Sequence, residues 1–139
     1  MRFIKFKIYF NGNNSAVPSD AFMGAGGIVS STCARVSINL PDTIEVLNPY
    51  AFAHTSYDCL SLGSGLTSYA RDAFAWVGIG SLVSRAPVQP KCYNTYYNGW
   101  EVTYGVKELY HPAGSDYSEW INALSPSHPT YGGGRYVSA

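Results

Sequence analysis

The sequence carries little charge for its length. Only 13% of its 139 residues are Asp, Glu, Lys or Arg, against about a quarter in ordinary globular domains. Nine basic residues balance nine acidic ones, so no basic surface is predicted for nucleic acid and no acidic surface for a basic ligand. Neutral polar residues and twelve Tyr take the place of charges. This composition favours a protein that meets partners through hydrogen bonds and aromatic rings.

Cysteines and long apolar runs are also scarce. The three cysteines are Cys33, Cys59 and Cys92. They form no CxxC pair and are odd in number, so we expect buried small hydrophobic residues rather than a zinc site or a full set of disulfides. No apolar run approaches a membrane span, so no membrane insertion is expected. Lys5 and Lys7 interrupt the first ten residues, which predicts an amphipathic strand and no signal peptide in this chain.

An internal repeat is the clearest feature that the sequence has. Residues 40–52 (LPDTIEVLNPYAF) align without a gap on residues 62–74 (LGSGLTSYARDAF), with an offset of 22 positions. The matched apolar pairs are Leu40 and Leu62, Ile44 and Leu66, Leu47 and Tyr69, Ala51 and Ala73, and Phe52 and Phe74. A partial copy ending at Ala21-Phe22 lies 30 positions before the first, which predicts an insertion near residues 24–27.

The residues before each copy repeat as well. Ile38 and Leu40 are in register with Leu60 and Leu62, and Leu82 lies one period further on. We expect these residues to point inward from short stacked strands, because one coil of such a chain cannot bury them alone. The repeated Ala allows close approach of the backbone, and the repeated Phe is predicted to fill the layer between successive coils.

After Phe74 the repeat decays, and other elements are predicted. A strand within residues 81–90 ends at prolines, and residues 102–110 form a final strand. A short helix is expected over 115–124, with Ser115 as its N-cap. Its buried side, at helical spacing, consists of Tyr117, Trp120, Ile121 and Leu124. Residues 125–139 show no period and are predicted to be an extended tail.

These repeats resemble the BspA-type leucine-rich repeat of Bacteroides-like bacteria and their phages. The resemblance covers roughly residues 17–90, and segments 86–90 and 109–120 resemble the closing part of such proteins. It implies a mainly β fold with short helices: a short right-handed solenoid with a C-terminal strand–helix cap. The corresponding single domain spans 1–124, with repeats at about 17–90 and the cap at 91–124. The resemblance also implies partner binding outside the cell, with no catalysis and no cofactor.

The residues themselves offer no convincing active site. A nucleophilic pair of Cys59 and His54 can be drawn, but no Asn or Asp marks an orienting group. The carboxylates form no close acid–base pair, and the glycine clusters lack the Lys-Ser/Thr of a phosphate loop. We therefore predict no catalytic residues, no metal ligands and no enzyme. Aromatic residues at 93–104 come with too few cations to favour nucleic acid.

Binding residues are predicted on two surfaces. Ser37, Asn39 and Ser61 alternate with the inward strand residues, so they should face outward. Tyr96 and Tyr97 are adjacent and cannot both point inward, so we expect at least one of them to be available to a ligand; the alternative is that they close the open end of the core.

The predicted function is therefore a non-catalytic binding or attachment module that recognises a protein or glycan on a cell surface. The scarcity of repeats and the lack of an export signal or anchor favour an alternative. In it, the chain is a structural virion or assembly protein that binds other subunits or forms a homo-oligomer. An enzyme is the third alternative. The predicted location is extracellular, on a cell surface or in a virion.

Overall fold

Two parallel sheets make up the fold. The computed structural model describes residues 15–21, 37–75, 77–93 and 105–124, and the backbone of one further strand. In chain order the strands are β1 (Ala16–Val17), β2 (Ser37–Asn39), β3 (Val46–Leu47), β4 (Ser56–Leu62), β5 (Ser68–Tyr69), β6 (Gly78–Ser84), β7 (Lys91–Cys92), β8 (Val106–His111) and β9 (Arg135–Ser138). The first sheet has the order β2-β4-β6-β8-β9, and the second has the order β1-β3-β5-β7.

The repeat in the sequence sets the register of both sheets. Ile38 pairs with Leu60, and Leu60 pairs with Leu82, which confirms the alignment of the residues that precede each copy. In the second sheet Val17 pairs with Leu47, and Leu47 pairs with Tyr69. The wider spacing of the first pair is the 30-residue offset of the partial copy. The insertion predicted near residues 24–27 lies outside the described residues.

After Phe74 the sequence match between copies decays, as expected, but the strand pairing continues. Strand β6 pairs with β4 at the same 22-residue offset, from Ser56 with Gly78 to Leu62 with Ser84. Strand β8 then continues the sheet, with Leu82 opposite Leu109. The spacing between β6 and β8 is five residues longer, so a search at a fixed offset misses the later unit. The predicted strand at 102–110 is observed at Val106–His111.

Strands β4 and β6 share an irregular step. Their inward residues are spaced three and then two positions apart, as in Tyr57, Leu60 and Leu62, because the pairing omits Asp58 and its neighbour Gly80. At Gly80 a Cβ atom would lie 2.7 Å from the Asp58 carbonyl oxygen, so only glycine fits there without a shift of the backbone. On the side of β4 that faces away from the core, all residues are small or polar.

The repeated apolar residues form the core, as predicted. Phe52 and Phe74 are fully buried and stack at 5.8 Å between ring centroids, with an angle of 14° between the rings. Ala51 and Ala73 beside them are also fully buried, and the Phe52 amide donates a 2.8 Å hydrogen bond to the Ala73 carbonyl. Other fully buried side chains include Leu40, Ile44, Leu47, Leu60, Leu62 and Leu82. Arg71–Phe74 form a turn of 3-10 helix within the second copy.

The C-terminal part differs from the prediction in two places. Helix α1 is Ser118–Leu124, so Ser115 is not its N-cap; the Ser115 hydroxyl donates to the Pro112 carbonyl, and Asp116 Oδ1 accepts from the Ser118 amide at 3.0 Å. Within the segment predicted as an extended tail, β9 pairs with β8 and joins the first sheet. The predicted N-terminal strand lies outside the described residues, as do Cys33, Tyr96 and Tyr97.

Candidate binding face

The first sheet presents a side that takes no part in the core. Two rows of side chains run across strands β2, β4, β6 and β8, and every one is exposed or half-buried. We call these residues the outer face: Ser37, Cys59, Ser81 and Glu108 in one row, and Asn39, Ser61, Val83 and Tyr110 in the other. The register places neighbours of one row directly opposite each other, so the face is a continuous surface rather than a set of isolated positions.

The three predicted strand residues lie on this face. Ser37 and Asn39 are exposed, Ser61 is half-buried, and Asn39 lies directly opposite Ser61. Their orientation follows from the inward position of Ile38, Leu40 and the residues that pair with them. The other two predicted binding residues, Tyr96 and Tyr97, lie outside the described residues.

Arg85 completes the site and was not among the predicted residues. It directly follows β6, and its side chain reaches back across β4 to β2. Its guanidinium donates to Asn39 Oδ1 at 2.8 Å, to Ser61 Oγ, to the Leu40 carbonyl at 2.8 Å and to Asp42 Oδ1 at 3.2 Å. A charged residue at a strand end in a sequence with so little charge was the only available signal.

Asp42 holds the other side of this cluster. Its Oδ1 accepts from the Ser64 amide at 2.8 Å and forms an ion pair with Arg85. The Ser64 backbone hydrogen bond, followed by that of Arg85, lowers the pKa of the Asp42 carboxyl below its ordinary value. Arg85 therefore joins three successive repeat units by hydrogen bonds to a strand, a neighbouring strand and a turn.

The opposite end of the outer face has a different character. Tyr110 donates a 2.8 Å hydrogen bond to Glu108 Oε2, so a carboxylate and a phenol ring lie together on β8. Val83 separates this pair from Ser61 in the row. The face thus changes from amide and hydroxyl groups at β2 and β4, through an apolar residue, to an acidic group at β8.

The nucleophilic alternative receives no support from the environment of Cys59. Burial, followed by the charge of Asp58, raises the pKa of the Cys59 thiol. An activated cysteine needs the opposite shift, because the thiolate is the nucleophile. Within the part of the chain that the structure describes, no three His, Cys, Asp or Glu residues are grouped as a metal site. Over the same residues no helix has the length and apolar character to cross a membrane.

A second, smaller surface lies beside the second sheet. Among the described residues, the large apolar side chains that are exposed are Tyr50, Tyr93 and Val88, with exposed fractions of 41%, 49% and 71%. The Tyr93 hydroxyl donates to Asn48 Oδ1 at 3.4 Å. Two of the three are aromatic, and none of them belongs to the outer face.

Comparison with known families agrees with the repeat pattern. A model of the BspA-type leucine-rich repeat region matches residues 30–98 in six copies. No curated protein and no solved structure matches the chain. Such repeat regions generally act as non-catalytic binding modules that mediate protein interactions and are typically associated with surfaces. Through residues 30–98, the chain therefore belongs to the BspA-type leucine-rich-repeat family.

Proposed function

We propose that this chain is a non-catalytic protein-binding module and that the outer face is its contact surface. The observation that carries the proposal is the difference between the two sides of the first sheet. Inward positions are occupied by core residues such as Leu60 and Leu82, while the outward residues of both rows are exposed or half-buried. A weakly charged surface that continues across four strands suits a macromolecular partner, because protein interfaces extend over many residues on each side.

The proposal includes a solenoid architecture for the whole repeat region. Parallel strands that pair at one repeat length are what successive coils of a right-handed solenoid produce. Helix α1 with its buried Trp120, together with the buried Tyr117 directly before it, would then cover the C-terminal part of the core. We further propose that the partner lies on a cell surface, in keeping with the family's usual association with surfaces.

The test places a large charged residue in the middle of the outer face. Ser81→Arg should weaken binding of the labelled chain to a panel of bacterial and animal cells by roughly tenfold or more, because the new side chain blocks contact across several strands. Ser68→Arg is the matched control, since Ser68 is also a half-buried strand serine but belongs to the second sheet. Equal binding by both variants and the unmodified chain, measured by flow cytometry, would contradict the assignment of the face.

A structural assembly protein is the second candidate, and the exposed Val88 and Tyr93 favour it. Exposed apolar residues of this size are suited to contacts between copies or with another subunit. Size-exclusion chromatography with light scattering separates the candidates. A concentration-independent oligomer that dissociates in a Val88→Asp, Tyr93→Asp double variant supports assembly, whereas a monomer that binds cells supports the recognition module.

A further inference from the structure

Arg85 determines the hydrogen-bond polarity of its neighbours on the outer face. A guanidinium group has only donors, so both Asn39 Oδ1 and Ser61 Oγ must act as acceptors in their bonds to Arg85. The assignment of the Asn39 amide oxygen and nitrogen therefore follows from chemistry, because the reversed amide would place two donors against each other. The Asn39 amide group is thereby held in one orientation, and the Ser61 oxygen is held as an acceptor.

This orientation leaves hydrogen-bond donors for a partner. The two N–H groups of Asn39 and the O–H group of Ser61 are not used by Arg85, and the two residues lie opposite each other on β2 and β4. The positive charge behind their oxygens polarises both groups and strengthens them as donors. Asn39 is exposed, so at least its amide nitrogen is accessible from outside the sheet.

The charges around Arg85 are also distributed unequally between its two sides. Asp42 neutralises Arg85 on the Nη2 side, while neutral oxygens alone meet the Nη1 side. A negative group approaching over Asn39 and Ser61 therefore meets N–H and O–H donors whose own oxygens bond to the Nη1 side of Arg85, away from Asp42. At the far end of the face, Glu108 disfavours a second negative group.

We infer that the β2–β4 end of the outer face binds an Asp or Glu side chain of a partner protein, through the Asn39 amide and the Ser61 hydroxyl held by Arg85. The inference rests on the proposed function of the outer face and specifies the chemistry of its partner. Hydrogen bonds to a carboxylate are stronger than those between neutral groups, so one acidic residue at this position should contribute strongly to affinity. Val83, next in the row, would contact an apolar neighbour of that residue.

An isosteric substitution tests the inference directly. Asn39→Asp keeps the shape of the side chain and the oxygen that Arg85 contacts, but it removes both N–H groups and adds a negative charge. Asn48→Asp is the matched control, because Asn48 Oδ1 also accepts a hydrogen bond, from Tyr93, but lies in the second sheet region. Far-UV circular dichroism and thermal melting of both variants establish that each is folded before binding is measured.

The probe is a phage-displayed library of random peptides, selected on the immobilised full chain. We expect Asp and Glu to be enriched in the selected peptides. The affinity of a synthetic selected peptide should fall by roughly tenfold or more with Asn39→Asp and stay within about twofold with Asn48→Asp. Replacing the acidic residue of that peptide by its amide should cause a similar loss with the unmodified chain and a much smaller loss with Asn39→Asp.

Two outcomes would overturn the inference and separate it from the proposed function. Selected peptides rich in Lys, Arg or apolar residues, or acidic peptides insensitive to Asn39→Asp, would disprove the acidic specificity. If their binding still depends on Ser81, the outer face remains the contact surface. If no peptide is enriched, or none depends on either Asn39 or Ser81, both the specificity and the assignment of the face fail.

Discussion

The regular part of the chain, residues 37–75, and the part that follows it, residues 77–124, share one sheet but differ in their core. Near the ends of the strands in that sheet, Leu62 of the regular part pairs with Ser84 of β6, and His111 ends β8 one residue after the pair of Val83 and Tyr110. Leu62, Ser84 and His111 are all buried. Near the ends of successive strands, the buried side chain is thus apolar in β4 and polar in β6 and β8.

Tyr117, the residue directly before helix α1, contacts both polar residues of the second part. The Tyr117 hydroxyl donates to the Ala86 carbonyl at 2.7 Å, so Ser84 Oγ, also at 2.7 Å, must donate to Tyr117. The His111 ring stacks on Tyr117 at 4.9 Å, and Trp120 Nε1 donates to the Tyr69 hydroxyl at 3.3 Å. Apolar packing lets one unit resemble the next, whereas directional hydrogen bonds specify one position for the helix.

The largest expected effect comes from breaking the apolar part. Phe74→Ala removes a fully buried ring that stacks on Phe52 and meets Tyr69 edge-on. We expect a loss of about 3–5 kcal/mol in the free energy of unfolding, because the cavity cannot collapse between paired strands. Urea unfolding measures the loss. Tyr93→Ala, at an exposed aromatic residue, should cost less than about 1 kcal/mol, and equal losses would contradict the packing described for Phe74.

A smaller effect is expected from the polar part. Tyr117→Phe leaves Ser84 Oγ and the Ala86 carbonyl without their partner inside the core, at a cost of about 1–3 kcal/mol. Adding Ser84→Ala to that variant should recover part of the loss, because one stranded polar group is removed. Equilibrium unfolding of both single variants and the double variant gives the coupling energy. Strict additivity would show that the two hydroxyls do not depend on each other.

This contrast also explains how far the sequence could be interpreted. The matched copies at 40–52 and 62–74 were recognisable because apolar core residues recur at a constant spacing, and the observed register follows them. Strand β8 was predicted, but its place in the repeat was missed because its spacing is longer and because Ser84 and His111 are polar residues. In the same way, the sequence did not show that the Ser115 hydroxyl bonds to the Pro112 carbonyl, or that helix α1 begins only at Ser118, whose amide bonds to Asp116 Oδ1.

The candidate site was predictable only in part for a similar reason. Strand alternation places Ser37, Asn39 and Ser61 on the outer side, since their neighbours are inward leucine and isoleucine. The reach of Arg85 across two strands is a tertiary contact between residues 24 to 46 positions apart, and no local pattern encodes it. The repeat pattern therefore predicts which residues point inward or outward. It does not predict the hydrogen bonds between distant residues, such as those of Tyr117 in the core and of Arg85 on the outer face.

The buried phenol of Tyr57, in the apolar part, should make stability depend on pH. Burial raises the pKa of its phenol from 10.0 to about 12, because the phenolate cannot be solvated there. A raised folded-state pKa contributes stability that is complete below the unfolded value and is lost as the pH rises through the folded one. Stability should therefore fall between pH 10 and about 12, and Tyr57→Phe should lose less over that range. Melting temperatures that fall equally in both proteins would contradict the burial of the phenol.

The smallest expected effect concerns Asp42, at the exposed edge of the regular part. Its pKa is lowered below the ordinary value of 3.8 by the Ser64 amide and by Arg85, so the carboxylate favours the folded state above that pH. The contribution is lost as the pH falls through the lowered value, and salt should weaken it because the group is exposed. Asp42→Asn should thus be slightly less stable than the unmodified chain at neutral pH and low salt, with urea unfolding as the measurement. The difference should vanish in acid, because acid neutralises the Asp42 carboxylate of the unmodified chain as well. A difference in stability that persists in acid would contradict the role of the charge and show that the amide disturbs the Arg85 cluster by its shape.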